Sequence, residues 1–280
     1  MAGPNNKVFV AIHPQSGMCN RLRAIFSFYL LSIQRKQKFL VVWEECRRTC
    51  PGILFEYYLP IPGTEYLLWK KDEQQFYNGI ELVKRGSKRQ KEVGKFTMFT
   101  SGGEFGCGNK KEYCGKYTNL YKYLTLNDKT QSIIDKAKKE LGDYVAVHIR
   151  RTDHKKNKQE INQVYIDFIN SFPKSLNVYI ATDCIKTKKV LYEIFKDRIK
   201  VIQFNHVIKS RQTSMLDAII DVHMCIESNH FYGTNGSSFS ELIYQKRYFE
   251  KKMDESEYLT AKKKKAILLE GAAPPRAQSE

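Results

Sequence analysis

A doubly wound α/β fold is predicted by two observations. From Asp128 onward, short apolar runs rich in β-branched residues alternate with stretches of helical periodicity, and the same strand-loop-helix-strand rhythm opens the chain. The N-terminal run VFVAIH predicts a strand over 8–13, followed by a turn-like stretch over 14–20 and a helix over 21–37. A second buried strand follows over 39–43 (FLVVW), which makes a β-α-β unit with a parallel sheet. Residues 51–123 are rich in Gly, Lys and aromatics and read as loops and helices that complete a first lobe. The second half predicts helices over 128–141, 161–171, 186–196, 214–227 and 238–248. Between them lie strands over 144–149, 177–181, 199–203 and 230–233. In such a sheet, ligands bind beyond the carboxyl ends of the strands.

At 280 residues and 42% hydrophobic composition, the chain can bury one large core or two modest ones. The pattern divides it into an N-terminal α/β lobe over 1–125, a Rossmann-like lobe over 126–250, and a C-terminal helix with a basic tail over 251–280. The tail carries the run Lys262–Lys265 and lacks the apolar residues to bury a core. With 47 Lys and Arg against 30 Asp and Glu, the net charge of +17 draws phosphates, nucleic acid or acidic surfaces. The sequence carries no helix-turn-helix, RNA-recognition or zinc module, which argues against nucleic acid as the partner. No apolar run approaches the roughly 18 residues needed to span a bilayer, so no membrane span is expected. Seven cysteines, an odd number, argue against a complete disulfide framework and for a cytoplasmic location. Cys46-x3-Cys50 and Cys107-x6-Cys114 could together supply four thiolates, but the second spacing is wrong for a zinc knuckle. Buried thiols or an occasional disulfide explain them more simply.

Four motifs carry chemistry. After the strand over 144–149 comes His148-Ile149-Arg150-Arg151-Thr152-Asp153, two guanidiniums and a carboxylate at a carboxyl strand end. Such a pair can neutralise a diphosphate leaving group without a metal; the plainer alternative is a surface ion pair between Arg151 and Asp153. Val178-Tyr179-Ile180-Ala181-Thr182-Asp183 ends a second strand in a hydroxyl and a carboxylate. Asp183 either accepts hydrogen bonds from a base or ribose or caps the helix that follows. In Gly233-Thr234-Asn235-Gly236-Ser237-Ser238-Phe239-Ser240 a strand gives way to a helix whose first amides suit phosphate. Ser238 with Glu241 also has the spacing of a capping box. Near the N-terminus, Gly17-Met18-Cys19-Asn20-Arg21-Leu22-Arg23 opens the first helix. There Gly17 permits close backbone approach, and Asn20 with Arg21 or Arg23 faces a ligand or merely shapes the loop.

In this order the four motifs resemble the superfamily of α1,6-fucosyltransferases, protein O-fucosyltransferases and bacterial nodulation-factor fucosyltransferases. The likeness covers about 8–39 and 143–247, with residues 216–223 (LDAIIDVH) and GTNGSSFSELI similar to its third peptide motif. The resemblance implies a GT-B fold, two Rossmann-like lobes with the donor GDP-fucose in the cleft, and transfer to a glycan hydroxyl with inversion and without a divalent metal. The absence of an Asp-x-Asp triplet agrees. By motif position, Arg150 would hold the diphosphate and assist its departure, with Arg151 beside it. His148 would contact the nucleotide or support the loop, Asp183 would face guanine or ribose, and Asp221 would support the donor pocket. Ser237, Ser238 and Phe239 would line the phosphates, Gly17 and Arg21 would belong to the donor side, and Asn20 would approach the transferred sugar. In the α1,6 branch a lysine follows the first motif's Asp; here His154 stands there, with Lys155 to Gln159 before Glu160. The candidate general bases are therefore Asp153 and Glu160, with Glu104 third. The chain resembles the catalytic core only, as in a cytosolic microbial or large-virus enzyme. A UDP-xylose donor on the same fold, or a non-catalytic basic protein that binds nucleic acid or glycan, are the alternatives.

Overall fold

The computed structural model describes residues 9–46, 49–69, 89–93, 96–101, 116–151, 162–199, 214–254 and 256, with only the backbone at 89–98 and 100. The chain forms two compact units, one of Met1–Lys136 with Gln203–Ile220, the other of Ala137–Ile202 with Asp221–Glu280. Both are α/β, as the alternating pattern requires.

In the first unit, β1 (Phe9–Pro14) is the centre of a five-stranded sheet in the order β3-β2-β1-β5-β4. Strands β2 (Lys38–Glu44), β3 (Thr64–Trp69) and β5 (Phe96–Ser101) run parallel to their neighbours; β4 (Arg89–Val93) closes the edge antiparallel to β5. Helix α1 (Met18–Arg35) connects β1 to β2 and buries Leu22, Ile25, Phe26, Phe28 and Tyr29. Its Phe28 ring lies 4.7 Å from Phe99, and its Tyr29 ring 5.5 Å from Phe39. The expectation of loops and helices over 51–123 is therefore corrected, because β3, β4 and β5 all fall in that stretch. Their hydrophobic signal is diluted by Thr, Glu and Lys, and their partners are distant in sequence, so local periodicity hides them.

In the second unit, β6 (Tyr144–Ile149) is flanked in parallel by β7 (Asn177–Thr182) and β8 (His230–Gly233). Side chains of a strand alternate between faces, so Val145, Val147, Ile149, Val178 and Ile180 share one face. They pack with Tyr165 and Ile169 of α3 (Gln163–Asn170) and with Leu191 and Phe195 of α4 (Ile185–Phe195). The opposite face presents Tyr144, Ala146, His148 and Tyr179 to α5 (Met215–Glu227) and α6 (Ser238–Phe249). Tyr144 donates to the Met224 carbonyl at 2.7 Å, Tyr179 donates to Asp221 at 2.8 Å, and His148 meets Ser240 of α6 at 2.7 Å. This is the doubly wound arrangement the alternating pattern predicts. The buried Arg247 guanidinium donates to the carbonyls of Ile226 at 2.9 Å and Ser228 at 2.6 Å, which closes the end of α5 with a cation where the helix dipole favours one. Helix α2 (Asp128–Leu141) has the bounds read from the sequence. The expected strand over 199–203 lies outside the described residues beyond Ile199, as does most of the tail over 251–280.

At Gly233, β8 packs tightly against α6. A Cβ added there would sit 2.6 Å from the Ser240 Cβ and 2.8 Å from the Phe231 ring. Gly233→Ala is expected to cost about 2 kcal/mol through overpacking, read as a lower urea midpoint; an unchanged midpoint would show that the first turn of α6 can yield.

Candidate active site

Parallel register builds the site. Ile149 pairs with Thr182 and His148 with Gly233, so the residues that follow the three strands leave the sheet within one residue of the same level. Those residues are Arg150, Asp183 and Thr234, all at the carboxyl edge.

Arg150 is fixed at both ends. Its backbone N–H donates to the Thr234 hydroxyl at 2.9 Å, and its Nε lies 3.4 Å from an Asp183 carboxylate oxygen. The other Asp183 oxygen accepts the Arg151 backbone N–H at 2.8 Å. The Arg151 guanidinium reaches Asn162 Oδ1, also at 2.8 Å, at the start of α3. Asp183 is nearly buried, with 10% of its side chain exposed against 26% for Arg150, so the carboxylate sits beneath a guanidinium that still meets solvent. Asp183 does not cap α4: Cys184 is the N-cap residue, and the Thr182 hydroxyl accepts the Cys184 N–H at 3.2 Å.

His148 supports the loop from within the fold. Its Nδ1 lies 2.7 Å from the Ser240 hydroxyl, and its ring stacks on Phe239 at 4.4 Å and 19°. Burial, helped by the Arg150 charge, pushes its pKa down to about 3. It is therefore neutral at ordinary pH. Helix α6 starts at Ser238 with Ser237 as its N-cap, so the Ser238 and Glu241 capping box is corrected: Ser238 sits one position too late to cap. The Ser237 hydroxyl makes no capping bond and is buried at the helix N-terminus. Ser238 and Phe239 form the first turn. Asp221 lies deeper, facing Tyr179 three residues before the end of β7.

In the first unit, Gly17 is the N-cap of α1, and a Cβ there would meet only the Thr49 carbonyl, at 3.6 Å. That is an ordinary contact, so no close approach within the described chain demands glycine. The positive φ of this loop, +75°, belongs to Ser16. Asn20 is half-buried in the first turn of α1. Arg21 is buried: its Nε donates to the Ser16 carbonyl at 2.8 Å, its Nη1 donates to the Glu44 carbonyl at 2.6 Å, and its guanidinium lies 4.6 Å over Trp43. These bonds tie the loop after β1 to the end of β2. Cys46 and Cys50 face each other through two backbone hydrogen bonds, at 3.1 and 2.8 Å, and both carry thiols.

Asp153, Glu160, Glu104, Cys107 and Cys114 lie outside the described residues. Among the described residues no group of three or more His, Cys, Asp or Glu could hold a metal, and no helix is long and apolar enough to cross a membrane. Sequence reasoning missed Thr234, Tyr165 and Asn162. Thr234 stood inside a quoted motif, but nothing local distinguishes a hydroxyl that bonds across strands from one that caps a helix.

The model of the GDP-fucose protein O-fucosyltransferase family matches residues 115–250, which span every element of the second-unit site. That match takes in 136 of the 280 residues and is a likeness to the fucosyltransferase superfamily. The fold of the chain is similar to that of the NodZ fucosyltransferase from Bradyrhizobium (12% identity, 85% of this chain and 92% of that one, TM-score 0.57). It is also similar to NodZ α-1,6-fucosyltransferase soaked with GDP-fucose (13% identity, 85% and 92%, TM-score 0.57) and to POFUT1 in complex with GDP (13% identity, 88% and 96%, TM-score 0.54). No curated protein matches the sequence.

The buried histidines of this protein give its stability a pH dependence. Burial, joined by the Lys246 charge and partly offset by Glu250 and Glu227, pushes His223 down to about 4. Well above pH 6.5 both histidines are neutral folded and unfolded, and their contribution to stability is fully present. As pH falls through about 6.5 toward the folded values of about 4 for His223 and about 3 for His148, the unfolded chain takes up protons that the folded state refuses, so stability falls by up to about 1.4 kcal/mol per pH unit for each histidine. Urea midpoints are expected to drop from pH 7 to 5, and less steeply in His148→Asn; an equal slope would show that His148 is protonated when folded.

Proposed function

We propose that this enzyme transfers L-fucose from GDP-fucose to a glycan hydroxyl, inverting the anomeric centre without a divalent metal. The observation that carries this reading is Arg150 at the carboxyl edge of β6, its guanidinium held by Asp183, in the layer from which the loop to α6 departs. Guanidinium forks bind phosphate oxygens bidentately and stay charged at every working pH, which meets the electrostatic demand of a departing diphosphate. Arg151, the first-turn amides of α6 and the hydroxyls of Ser237 and Ser238 are the other proposed phosphate contacts. NodZ has been soaked with GDP-fucose and POFUT1 holds GDP, which supports a guanosine donor here.

In the proposed step the acceptor oxygen attacks the anomeric carbon opposite GDP. The bond from that carbon to the β-phosphate oxygen breaks, Arg150 neutralises the charge released, and Asp153 or Glu160 takes the acceptor proton. Neutral His148 is unsuited to that task, because it is buried and packed on Phe239. Asp183 is assigned here to orient Arg150, in place of the guanine or ribose contact that the resemblance implies. The thiols of Cys50, Cys184 and Cys225 suit a reducing cytosol, where we place the enzyme.

GDP at about 100 times its Kd is expected to stabilise the fold by about 2.7 kcal/mol, visible as a rise in Tm, with UDP and ADP giving less. The absence of any shift with GDP would sink the donor assignment. Arg150→Ala is expected to lower kcat for fucose transfer by roughly 100-fold or more, and to lower Tm as well because nearly buried Asp183 loses its cation. EDTA is expected to leave turnover intact; loss on chelation with recovery on Mg²⁺ or Mn²⁺ would overturn the metal-free mechanism.

A further inference from the structure

Thr234 lies immediately after β8 and is 1% exposed, yet its hydroxyl has three partners on two other elements. It donates to the His148 carbonyl at 3.0 Å, accepts the Arg150 N–H at 2.9 Å, and lies 2.6 Å from the hydroxyl of Tyr165. A hydroxyl has one proton and two lone pairs, so with Tyr165 donating all three valences are filled. The Thr234 backbone N–H also donates to the His148 carbonyl, at 2.9 Å. Tyr165 is itself fully buried on α3, which fixes its phenol from the other side. The end of β8 is thereby cross-linked to the peptide units from which Arg150 emerges, while Asp183 holds the far end of the same residue.

We propose that Thr234 is a positioning residue, supported by Tyr165, that acts through Arg150 by fixing the backbone from which the leaving-group guanidinium extends. The inference rests on Arg150 being the diphosphate clamp. A hydroxyl is needed here, and the shape of the side chain is not enough: valine has the same outline but leaves the Arg150 N–H and the Tyr165 hydroxyl without their acceptor in a buried place. Arg150 then gains freedom at its backbone, and the loss falls on the step in which charge develops on the diphosphate.

The test compares Thr234→Val, Thr234→Ser, Tyr165→Phe, Arg150→Ala and the Thr234→Val/Arg150→Ala double variant. Two readouts are used, GDP affinity by calorimetry and the steady-state kinetics of fucose transfer from GDP-fucose. Thr234→Val is expected to lower kcat roughly 10- to 100-fold with little change in acceptor KM. Thr234→Ser keeps the hydroxyl and is expected to recover most of that loss, and Tyr165→Phe to show a smaller loss of the same kind. GDP affinity is expected to fall in Thr234→Val but not to fall further when Arg150 is already Ala, because a residue that acts through another is non-additive with it. An equal loss of GDP affinity in the Arg150→Ala background, or wild-type turnover in Thr234→Val alongside an inactive Arg150→Ala, would overturn the positioning role and leave the clamp standing. Wild-type GDP affinity and turnover in Arg150→Ala would instead remove the clamp itself. Should Thr234→Val fail to fold, Tyr165→Phe combined with Arg150→Ala decides the same question.

Discussion

The ion pair between Arg150 and Asp183 is the interaction on which the arrangement of the site depends. The carboxylate is almost withdrawn from water and the guanidinium is not, so the pair holds its cation facing outward while its anion is locked in the fold. One Asp183 oxygen meets that guanidinium and the other accepts the next residue's amide, so a single side chain fixes both the direction of Arg150 and the path of the loop after it. Removing a partner from such a pair strands a charge in a poorly solvated place, which costs more than the pair contributes when intact. Under the proposed function, an arriving diphosphate would meet a guanidinium already oriented, with the cost of ordering it met during folding.

That pair is possible because three parallel strands end in register. Strand β6 lies between β7 and β8, and each neighbour sends the residue after its last pair toward the same edge. The two faces of the sheet then divide the work. One is an aliphatic core under α3 and α4, while the other carries polar groups that meet α5 and α6 through single, well-formed bonds. His148 belongs to the second face. Burial keeps its ring neutral, which suits stacking on Phe239 and bonding to Ser240, and takes it out of proton transfer at working pH.

In the first unit an arginine plays the opposite part. Arg21 lies in the first turn of the helix that follows β1, and its guanidinium is turned inward onto two carbonyls and the face of Trp43. Two arginines near the carboxyl ends of parallel strands thus differ in exposure and in partners. Where the neighbouring loop supplies carbonyl acceptors the side chain becomes a strut; where a buried carboxylate lies below it, the head faces solvent.

Periodicity alone determined the doubly wound core of this protein, because helices and strands over 128–149, 177–195 and 215–249 carry local hydrophobic patterns strong enough to read. Four ordered motifs likewise carried the likeness to the fucosyltransferase superfamily and marked the strand ends at which the candidate site is built. Tertiary structure alone decided what those motif residues do. Strands β3, β4 and β5 were hidden because their stability comes from distant partners. Asp183 read as a cap or a ligand contact, and its carboxylate meets the Arg150 guanidinium and the Arg151 amide; Arg21 read as a ligand residue, and its guanidinium is buried on two carbonyls. Thr234 drew no notice because its three bonds cross to residues 148, 150 and 165. Periodicity reports which side of an element faces the core. Which buried hydroxyl, carboxylate or guanidinium meets which partner depends on register between elements far apart in the chain, and no local pattern encodes it.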